Sequence, residues 1–331
     1  MNISYLMSSY PGMYVVQSFW HSLIATVLVD SAIRIWGINN SSVRQRFRFL
    51  VLICPIVLFP LYQAINPDRG SLFFRLEALF DSNRLMNLEL WGTIPFSAAV
   101  VLVVCITTII FIIQEMIPII GHALESRQPG PEGELPAEDS PVQKALEDLP
   151  GEKPDVVIVE DDEFVLYSTT GKKTAIFLSS GILKMLSVEQ LQAAIAHEIA
   201  HIIRNRQPVL IIIFLLRLLM FYNPVVLFEF RRIAQEEENI CDDVAVSLTR
   251  KPHALVETLK KLYYEPEERN PMNLRELSKL KDSIEEYGHN MHIEARIMRL
   301  EQGGGSKKTG SVWFAFVLTL SAIIVMNYFI V

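Results

Sequence analysis

The chain has 331 residues, of which half are apolar and one fifth are charged. This length allows one domain of soluble size together with several membrane spans. The formal net charge is −7 and no basic cluster carries interleaved aromatic residues, which argues against a nucleic-acid partner.

Three apolar segments in residues 1–123 are predicted to cross a membrane, since a crossing helix needs about twenty residues. They are residues 14–36, 49–66 and 93–120. The loop between the first two is predicted to be cytoplasmic because it is rich in arginine, which leaves the N-terminus outside. The arginines that give this bias are Arg34, at the end of the first segment, and Arg44, Arg46 and Arg48 in the loop. The N-terminus has no basic flank and no small-residue cleavage site, so we expect no cleaved signal peptide.

Some polar and thiol side chains lie within or beside apolar stretches. Asp30 and Arg34 are four residues apart in the first segment, and we interpret them as a helix ion pair near its cytoplasmic end. A functional intramembrane charge is the alternative. The scattered cysteines Cys54, Cys105 and Cys241 imply no disulfide framework. Cys241 is predicted to be a small buried residue, with a redox-regulatory thiol as the alternative.

Residues 124–153 are rich in Pro, Gly and Glu, a composition that predicts a flexible acidic linker. A partner-docking or self-cleavage segment is the alternative. Three short runs of strand-forming residues follow at 155–160, 164–168 and 174–179, with a turn signal at Gly171. They predict a small antiparallel sheet that precedes the most informative motif of the chain.

That motif is the pentapeptide HEIAH, in which His197 and His201 flank Glu198. It has the H-E-x-x-H pattern of zinc peptidases. Ser187 and Gln190 form a capping box that predicts the start of a helix. Residues four apart on a helix share a face, so both imidazoles can bind one metal ion, and Glu198 can act on a water molecule as general base. A structural polar cluster is the alternative interpretation.

A third metal ligand is expected in residues 235–245, which read QEEENICDDVA. Glu238 and Asp242 are four apart on a predicted helix, so Glu238 can bind metal while Asp242 hydrogen-bonds a ligand imidazole. Three consecutive glutamates leave the register ambiguous, and Glu237 is the nearest competitor. Ala245 on the same face favours Glu238. A solvated acidic face is the alternative.

The apolar segment 208–230 lies between these ligands. Zinc–ligand bonds are only about 2 Å long, so both ends of the segment must return to one site and it cannot cross the bilayer once. Arg217 and the Asn223-Pro224 pair interrupt it, and its length is too short for two full passes. We predict a partly immersed, non-crossing element that holds the site near the cytoplasmic membrane face.

The remainder of the chain, from residue 252, is predicted to be helical and highly charged up to residue 300. Arg296, His289 and His292 are candidates for substrate or transition-state contacts, with a solvated helix end as the alternative. The apolar segment 311–331 predicts a last span. The predicted organisation is therefore a membrane region at 1–123, the linker at 124–153, a peptidase domain at 154–302, and a linker with the last span at 303–331.

Taken together, these motifs resemble one family over about residues 155–300. HEIAH, the sequence Phe-Tyr-Asn-Pro at 221–224, Arg232, and the Glu238 segment with its Cys-Asp pair are similar to the peptidase halves of antirepressor-type β-lactam signal transducers of bacteria. HtpX and the CAAX prenyl proteases are similar more loosely. The resemblance implies one zinc ion held by two imidazoles and one carboxylate, with Glu198 as base. The implied ligands are His197, His201 and Glu238, with Asp242 supporting them.

Further expectations follow from this resemblance. Such peptidases bind extended substrate along an edge strand beside the metal, and residues 174–179 are the best candidate. The printed sequence ends after an apolar segment, so we expect no extracellular penicillin-binding sensor domain. The localisation implied is the cytoplasmic (inner) membrane of a bacterium, with the zinc domain on the cytoplasmic side.

The sequence therefore predicts an α-helical membrane protein with an α+β zinc-peptidase domain of the gluzincin type. Its partners would be the lipid bilayer and a protein or peptide substrate, either soluble or membrane-linked, that is cleaved for signalling. Quality-control proteolysis is one alternative, and a non-catalytic membrane scaffold with structural zinc is another. Structural zinc sites usually have four protein ligands, whereas three are predicted here. The presence of Glu198, which a structural site would not need, also argues against a scaffold. Homo-oligomerisation is left open.

Overall fold

The computed structural model describes residues 9–78, 80–117, 120, 133–151, 153–162, 164–170, 174–205, 209–264, 292–303 and 312–331. It is mostly helical, with one three-stranded sheet and one two-stranded hairpin. The chain divides into two compact units. The first unit consists of Met1–Gln128, Val209–Glu236 and Lys307–Val331, and the second consists of Pro129–Pro208 and Glu237–Ser306.

Apolar helices dominate the first unit. They are α1 (Tyr10–Ile35), α2 (Ser41–Ile65), α5 (Phe96–Phe111, which continues as a π-helical turn, Ile112–Met116), α9 (Val209–Leu219), the first half of α10 (Pro224–Thr249) and α13 (Trp313–Tyr328). Tyr10–Ile35, Ser41–Ile65 and Phe96–Met116 are long and apolar enough to cross a membrane. Helix α13 has 16 residues, fewer than a crossing helix needs, so the predicted last span stays a prediction.

Short elements connect α2 to α5. They are a 3₁₀ turn (Pro67–Gly70), α3 (Leu72–Glu77), α4 (Ser82–Met86) and an antiparallel hairpin of β1 (Glu89–Leu90) and β2 (Ile94–Pro95). Helix α2 begins earlier than the predicted segment at residue 49. The reason is its cap: the Asn40 side chain accepts a hydrogen bond from the backbone N–H of Val43 at 3.0 Å.

The predicted ion pair between Asp30 and Arg34 is wrong. Asp30 instead accepts hydrogen bonds from Arg48 at 3.2 Å and from Arg232 at 2.8 and 2.9 Å. Arg34 is exposed. Arg48 is almost fully buried and also bonds Glu229 at 2.9 Å, so Asp30 belongs to an ionic cluster that joins helices distant in sequence. A solvated pair within one helix contributes too little to compete with this cluster.

The segment 208–230 contains a sharp turn. Helix α9 ends at Leu219 and α10 begins at Pro224. Between them, the Asn223 side chain accepts hydrogen bonds from the backbone N–H groups of Val225 and Val226, and its amide donates to Ser22 of α1 at 3.0 Å. The eleven residues of α9 rise only about 16 Å, roughly half of a bilayer core. These bounds suit a non-crossing segment, although its position in a bilayer stays a prediction.

The second unit contains a mixed sheet with the strand order β3–β5–β4. Strand β3 (Asp155–Val159) pairs with β5 (Thr174–Ser179) in parallel, whereas β4 (Leu166–Thr170) pairs with β5 in antiparallel fashion. The prediction of a wholly antiparallel sheet is therefore wrong. So is the prediction that residues 174–179 form an edge strand, because β5 is central and is the most buried of the three. Alternating hydrophobicity indicates which residues face a core, not which strands are neighbours.

Helices cover this sheet and share one hydrophobic core with it. They are α6 (Pro141–Glu147), α7 (Ser180–Met185), α8 (Val188–Asn205), the second half of α10, α11 (Pro252–Tyr264) and α12 (292–301).

The later part of the predicted flexible linker is folded, because it contains helix α6. The prediction is wrong for this part. Val142, Ala145, Leu146 and Leu149 are buried in the core, and the Ser140 hydroxyl caps the helix by accepting from the N–H of Gln143. Residues 124–132 and 152 of that linker lie outside the described residues.

Candidate metal centre

Helix α8 carries the HEIAH motif on a well-defined backbone. The predicted capping box is present: the Ser187 N–H donates to the Gln190 side chain at 3.0 Å, and the Gln190 N–H donates to the Ser187 hydroxyl at 3.3 Å. Ala193, Ile195 and neighbouring apolar residues are buried, which fixes the rotation of the helix. The imidazoles of His197 and His201 lie one turn apart, with their Nε2 atoms separated by 3.1 Å.

Helix α10 brings a carboxylate to these imidazoles. Glu238 Oε2 lies 3.5 Å from His197 Nε2, and Glu238 Oε1 lies 3.5 Å from His201 Nε2. The competing residue Glu237 faces elsewhere, because both of its carboxylate oxygens accept hydrogen bonds from Arg204 at 2.5 and 2.6 Å. Sequence reasoning missed this partner, although Arg204 lies three residues beyond His201 on the same helix.

The three side chains have the geometry of a metal site. Their donor atoms all lie within 4.8 Å of one another. Two ligands that are each about 2.1 Å from a tetrahedral zinc ion lie roughly 3.4 Å apart. The two imidazole nitrogens are 3.1 Å apart, and each of them has a different Glu238 oxygen at 3.5 Å, so each nitrogen–nitrogen or nitrogen–oxygen pair is close to this value. Two imidazoles and one carboxylate could therefore hold one small divalent cation.

Asp242 and Arg296 lie behind this cluster. Asp242 is fully buried, and its Oδ1 lies 3.2 Å from His197 Nδ1. Arg296 donates hydrogen bonds to both oxygens of Asp242, at 2.9 and 2.7 Å, and its Nη1 lies 3.0 Å from Glu238. Arg296, predicted as a substrate or transition-state contact, thus binds two acidic residues of the centre itself.

Burial and charge shift the pKa values of these groups in different directions. Burial acts to lower the pKa of His197, but hydrogen bonds to Asp242 and Glu238 outweigh it and raise that pKa to about 9. Burial and the neighbouring charge on His197 lower the pKa of His201. Burial opposes ionisation of Asp242, yet hydrogen bonds from His197 and Arg296 hold its pKa well below the usual range. Without a metal ion, the charged form of His197 is therefore favoured over the charged form of His201.

The remaining candidate residues lie in different surroundings. Glu198 follows His197 on α8 and is only 9 % exposed. His292 is exposed at the start of α12, and His289 lies outside the described residues. Cys241 is fully buried, as predicted, but its Sγ also lies 3.4 Å from His201 Nδ1, a contact that sequence reasoning missed.

Comparison with known proteins adds one match. A family model described as BlaR1 peptidase M56 matches residues 83–286, which is more than half of the chain. The matched region includes HEIAH, the turn at Asn223 and the segment around Glu238. No curated protein matches the chain. The predicted resemblance to the peptidases of β-lactam signal transducers is thereby confirmed.

Proposed function

Because the chain belongs to the BlaR1 peptidase M56 family and is therefore a membrane-associated metallopeptidase, we propose that its metal is zinc and that it hydrolyses internal peptide bonds of a protein substrate. The observation that carries this proposal is the convergence of His197, His201 and Glu238, whose donor atoms lie within 4.8 Å of one another. Two imidazoles and one carboxylate are a recurrent ligand set of catalytic zinc. When bound, zinc supplies the Lewis acidity that polarises a peptide carbonyl and acidifies water.

Glu198 is proposed as the general base. Its carboxylate accepts a proton from the attacking water and then donates it to the nitrogen of the leaving amine. Its place between two proposed ligands on α8 and its low exposure support this role. Asp242 would hold His197 by its Nδ1–H and so turn Nε2 toward the ion, while Arg296 fixes the Asp242 carboxylate.

Extended substrate is proposed to bind along β4 rather than β5. Strand β4 contacts α8, and among the described residues its outer edge pairs with no strand. Such an edge offers backbone N–H and C=O groups to a substrate that adds as a further strand. His292 remains a candidate donor to the oxyanion, whereas Arg296 is bound to Asp242 and is better suited to holding the site.

We also propose that the protein resides in the cytoplasmic membrane of a bacterium, with the N-terminus outside and the site at the cytoplasmic face. The arginines that follow α1 support this orientation. Regulatory cleavage of one target is the preferred role, because the motifs of the chain resemble those of peptidases in signal transducers.

The direct test of catalysis is Glu198→Gln in the full chain, purified in detergent. We expect proteolysis of casein or a fluorogenic peptide to fall by a factor of about 10² to 10⁴, while zinc content stays near one ion per chain. Glu189→Gln is the matched control, since Glu189 lies on the same helix and pairs with Lys251 at 2.8 Å. His197→Ala should instead lose zinc. An active Glu198→Gln variant would exclude Glu198 as the base.

The biological role needs a separate experiment. Proteomes of cells carrying the unchanged chain or Glu198→Gln can be compared for fragments that only the unchanged chain produces. One cleaved protein would support regulation, and many damaged membrane proteins would support quality control. The proteolysis assay is also run with and without a chelator. A protein that binds zinc but shows no proteolysis in either condition would favour the scaffold.

A further inference from the structure

Cys241 contacts one of the proposed metal ligands, although it is not a member of the ligand cluster itself. Its side chain is fully buried in the second unit, and its Sγ lies 3.4 Å from Nδ1 of His201. We infer that Cys241 is a positioning residue, whose sulfur accepts a hydrogen bond from the His201 Nδ1–H and thereby presents Nε2 of that imidazole to the metal ion. This inference rests on the proposed function, because it assigns His201 as a ligand.

The tautomer of His201 requires such a partner. Its Nε2 faces Nε2 of His197 at 3.1 Å and the Glu238 carboxylate at 3.5 Å, so the lone pair that binds a metal must be on Nε2. A neutral imidazole then carries its single proton on Nδ1. A donor left without an acceptor in a protein interior is unfavourable. Among the described residues, the Cys241 sulfur is the acceptor within hydrogen-bonding distance of Nδ1.

The helix register supports the same assignment. Glu238, Cys241, Asp242 and Ala245 are spaced i, i+3, i+4 and i+7 on α10, so they share one face of the helix. Two consecutive residues of that face each contact one imidazole. Asp242 Oδ1 lies 3.2 Å from Nδ1 of His197, and Cys241 Sγ lies 3.4 Å from Nδ1 of His201. Ala245 is small and buried, which keeps this face free of bulk one turn further on.

Charge explains why a thiol suits this position. Glu237, Glu238 and Asp242 already bring three carboxylates next to Cys241, and the three are paired with two arginines. A further carboxylate at position 241 would add an unpaired buried charge, which is strongly unfavourable. Sulfur is a weak but neutral acceptor. It can therefore orient the imidazole without adding to the negative charge of the centre.

The test measures zinc affinity of the full chain by competition with a chromophoric chelator. Cys241→Ser keeps an acceptor, whereas Cys241→Ala removes it. Cys54→Ala is the matched control, because Cys54 is a buried thiol of α2 in the first unit. We expect zinc affinity to fall by roughly 10- to 100-fold in Cys241→Ala, and to stay close to that of the unchanged chain in the other two variants. The visible spectrum of the Co²⁺-loaded Cys241→Ala protein should also change, because the ligand field depends on the His201 orientation.

Each outcome is decisive. Unchanged affinity and an unchanged Co²⁺ spectrum in Cys241→Ala would overturn the inference while leaving the metal centre intact. Equal losses in Cys241→Ala and Cys241→Ser would also overturn it, because they would show that packing of the sulfur matters and not its role as acceptor. If the unchanged chain and Cys54→Ala bound no divalent ion, the proposed function would fail together with the inference.

Discussion

The Arg296–Asp242 pair offers the sharpest test of what holds the centre together. Asp242 is fully buried, Arg296 is 12 % exposed, and two hydrogen bonds of 2.9 and 2.7 Å join them. Arg296→Gln removes the positive charge and leaves the carboxylates of Asp242 and Glu238 without their shared partner. Breaking a buried pair in this way costs about 3–5 kcal/mol, whereas an exposed pair contributes about 0–1 kcal/mol.

The assay is thermal unfolding of the metal-free protein in detergent. For a folding unit of about 150 residues, each kcal/mol lowers the melting temperature by about 2–4 °C, so Arg296→Gln should lower it by roughly 6–20 °C. Lys260→Gln is the control, because its ion pair with Glu301 is exposed and should have no measurable effect. Adding Asp242→Asn to Arg296→Gln should recover part of the loss, since one uncompensated charge is then absent. The reasoning is refuted if Arg296→Gln melts with the unchanged chain, or if the double variant is no more stable than the single one.

Two further substitutions test the turn before α10 and the first turn of α7 by the same assay. Asn223→Ala should lower stability by about 1–3 kcal/mol, because it removes the cap of α10 and leaves the Ser22 hydroxyl without its donor; a change under about 0.5 kcal/mol would contradict this. Gly181→Ala should cost about 1–3 kcal/mol, since a Cβ there would lie 2.5 Å from the backbone oxygen of Asp162. Gly70→Ala is its control, because a Cβ at Gly70 meets nothing within 4 Å, and equal effects of the two would exclude a steric cause.

Local spacing was sufficient to predict that His197, His201 and Glu238 lie together. The i, i+4 spacing of His197 and His201 and the capping box before them define a helix face without any tertiary information. The choice of Glu238 over Glu237 also followed from spacing, because only Glu238 shares a face with Asp242. What spacing could not reveal was the partner of Glu237: Arg204 lies on another helix, and only the packing of α8 against α10 brings them together.

The strand order could not be predicted from the sequence, and helix α6 was overlooked. The order of the strands in the sheet depends on how the chain connects them. Three short runs of similar composition do not indicate which strand is central. In contrast, helix α6 could have been predicted from the sequence. Val142, Ala145, Leu146 and Leu149 have the i, i+3, i+4, i+7 spacing of a buried helix face, but the Pro, Gly and Glu content of the surrounding segment obscured it.

Charge balance around the centre leads to a last prediction. Five carboxylates and three guanidinium groups lie in or against it, which leaves two negative charges when both imidazoles are neutral. The carboxylates are those of Glu198, Glu237, Glu238, Asp242 and Asp243, and the guanidinium groups are those of Arg204, Arg296 and Arg299.

A divalent cation would neutralise this centre, whereas without one a proton on His197 compensates half of the excess. Because the pKa of His197 is raised to about 9, that proton is present at pH 7 and must leave when a metal binds. Titration calorimetry with zinc, in buffers of different protonation enthalpy, should therefore detect the release of about one proton per ion at pH 7. Zinc affinity should rise with pH and level off above about pH 9, where the imidazole is already neutral. Release of no proton at pH 7 would show that the metal-free centre tolerates its two negative charges, and that the Asp242 and Glu238 carboxylates do not hold a charged His197.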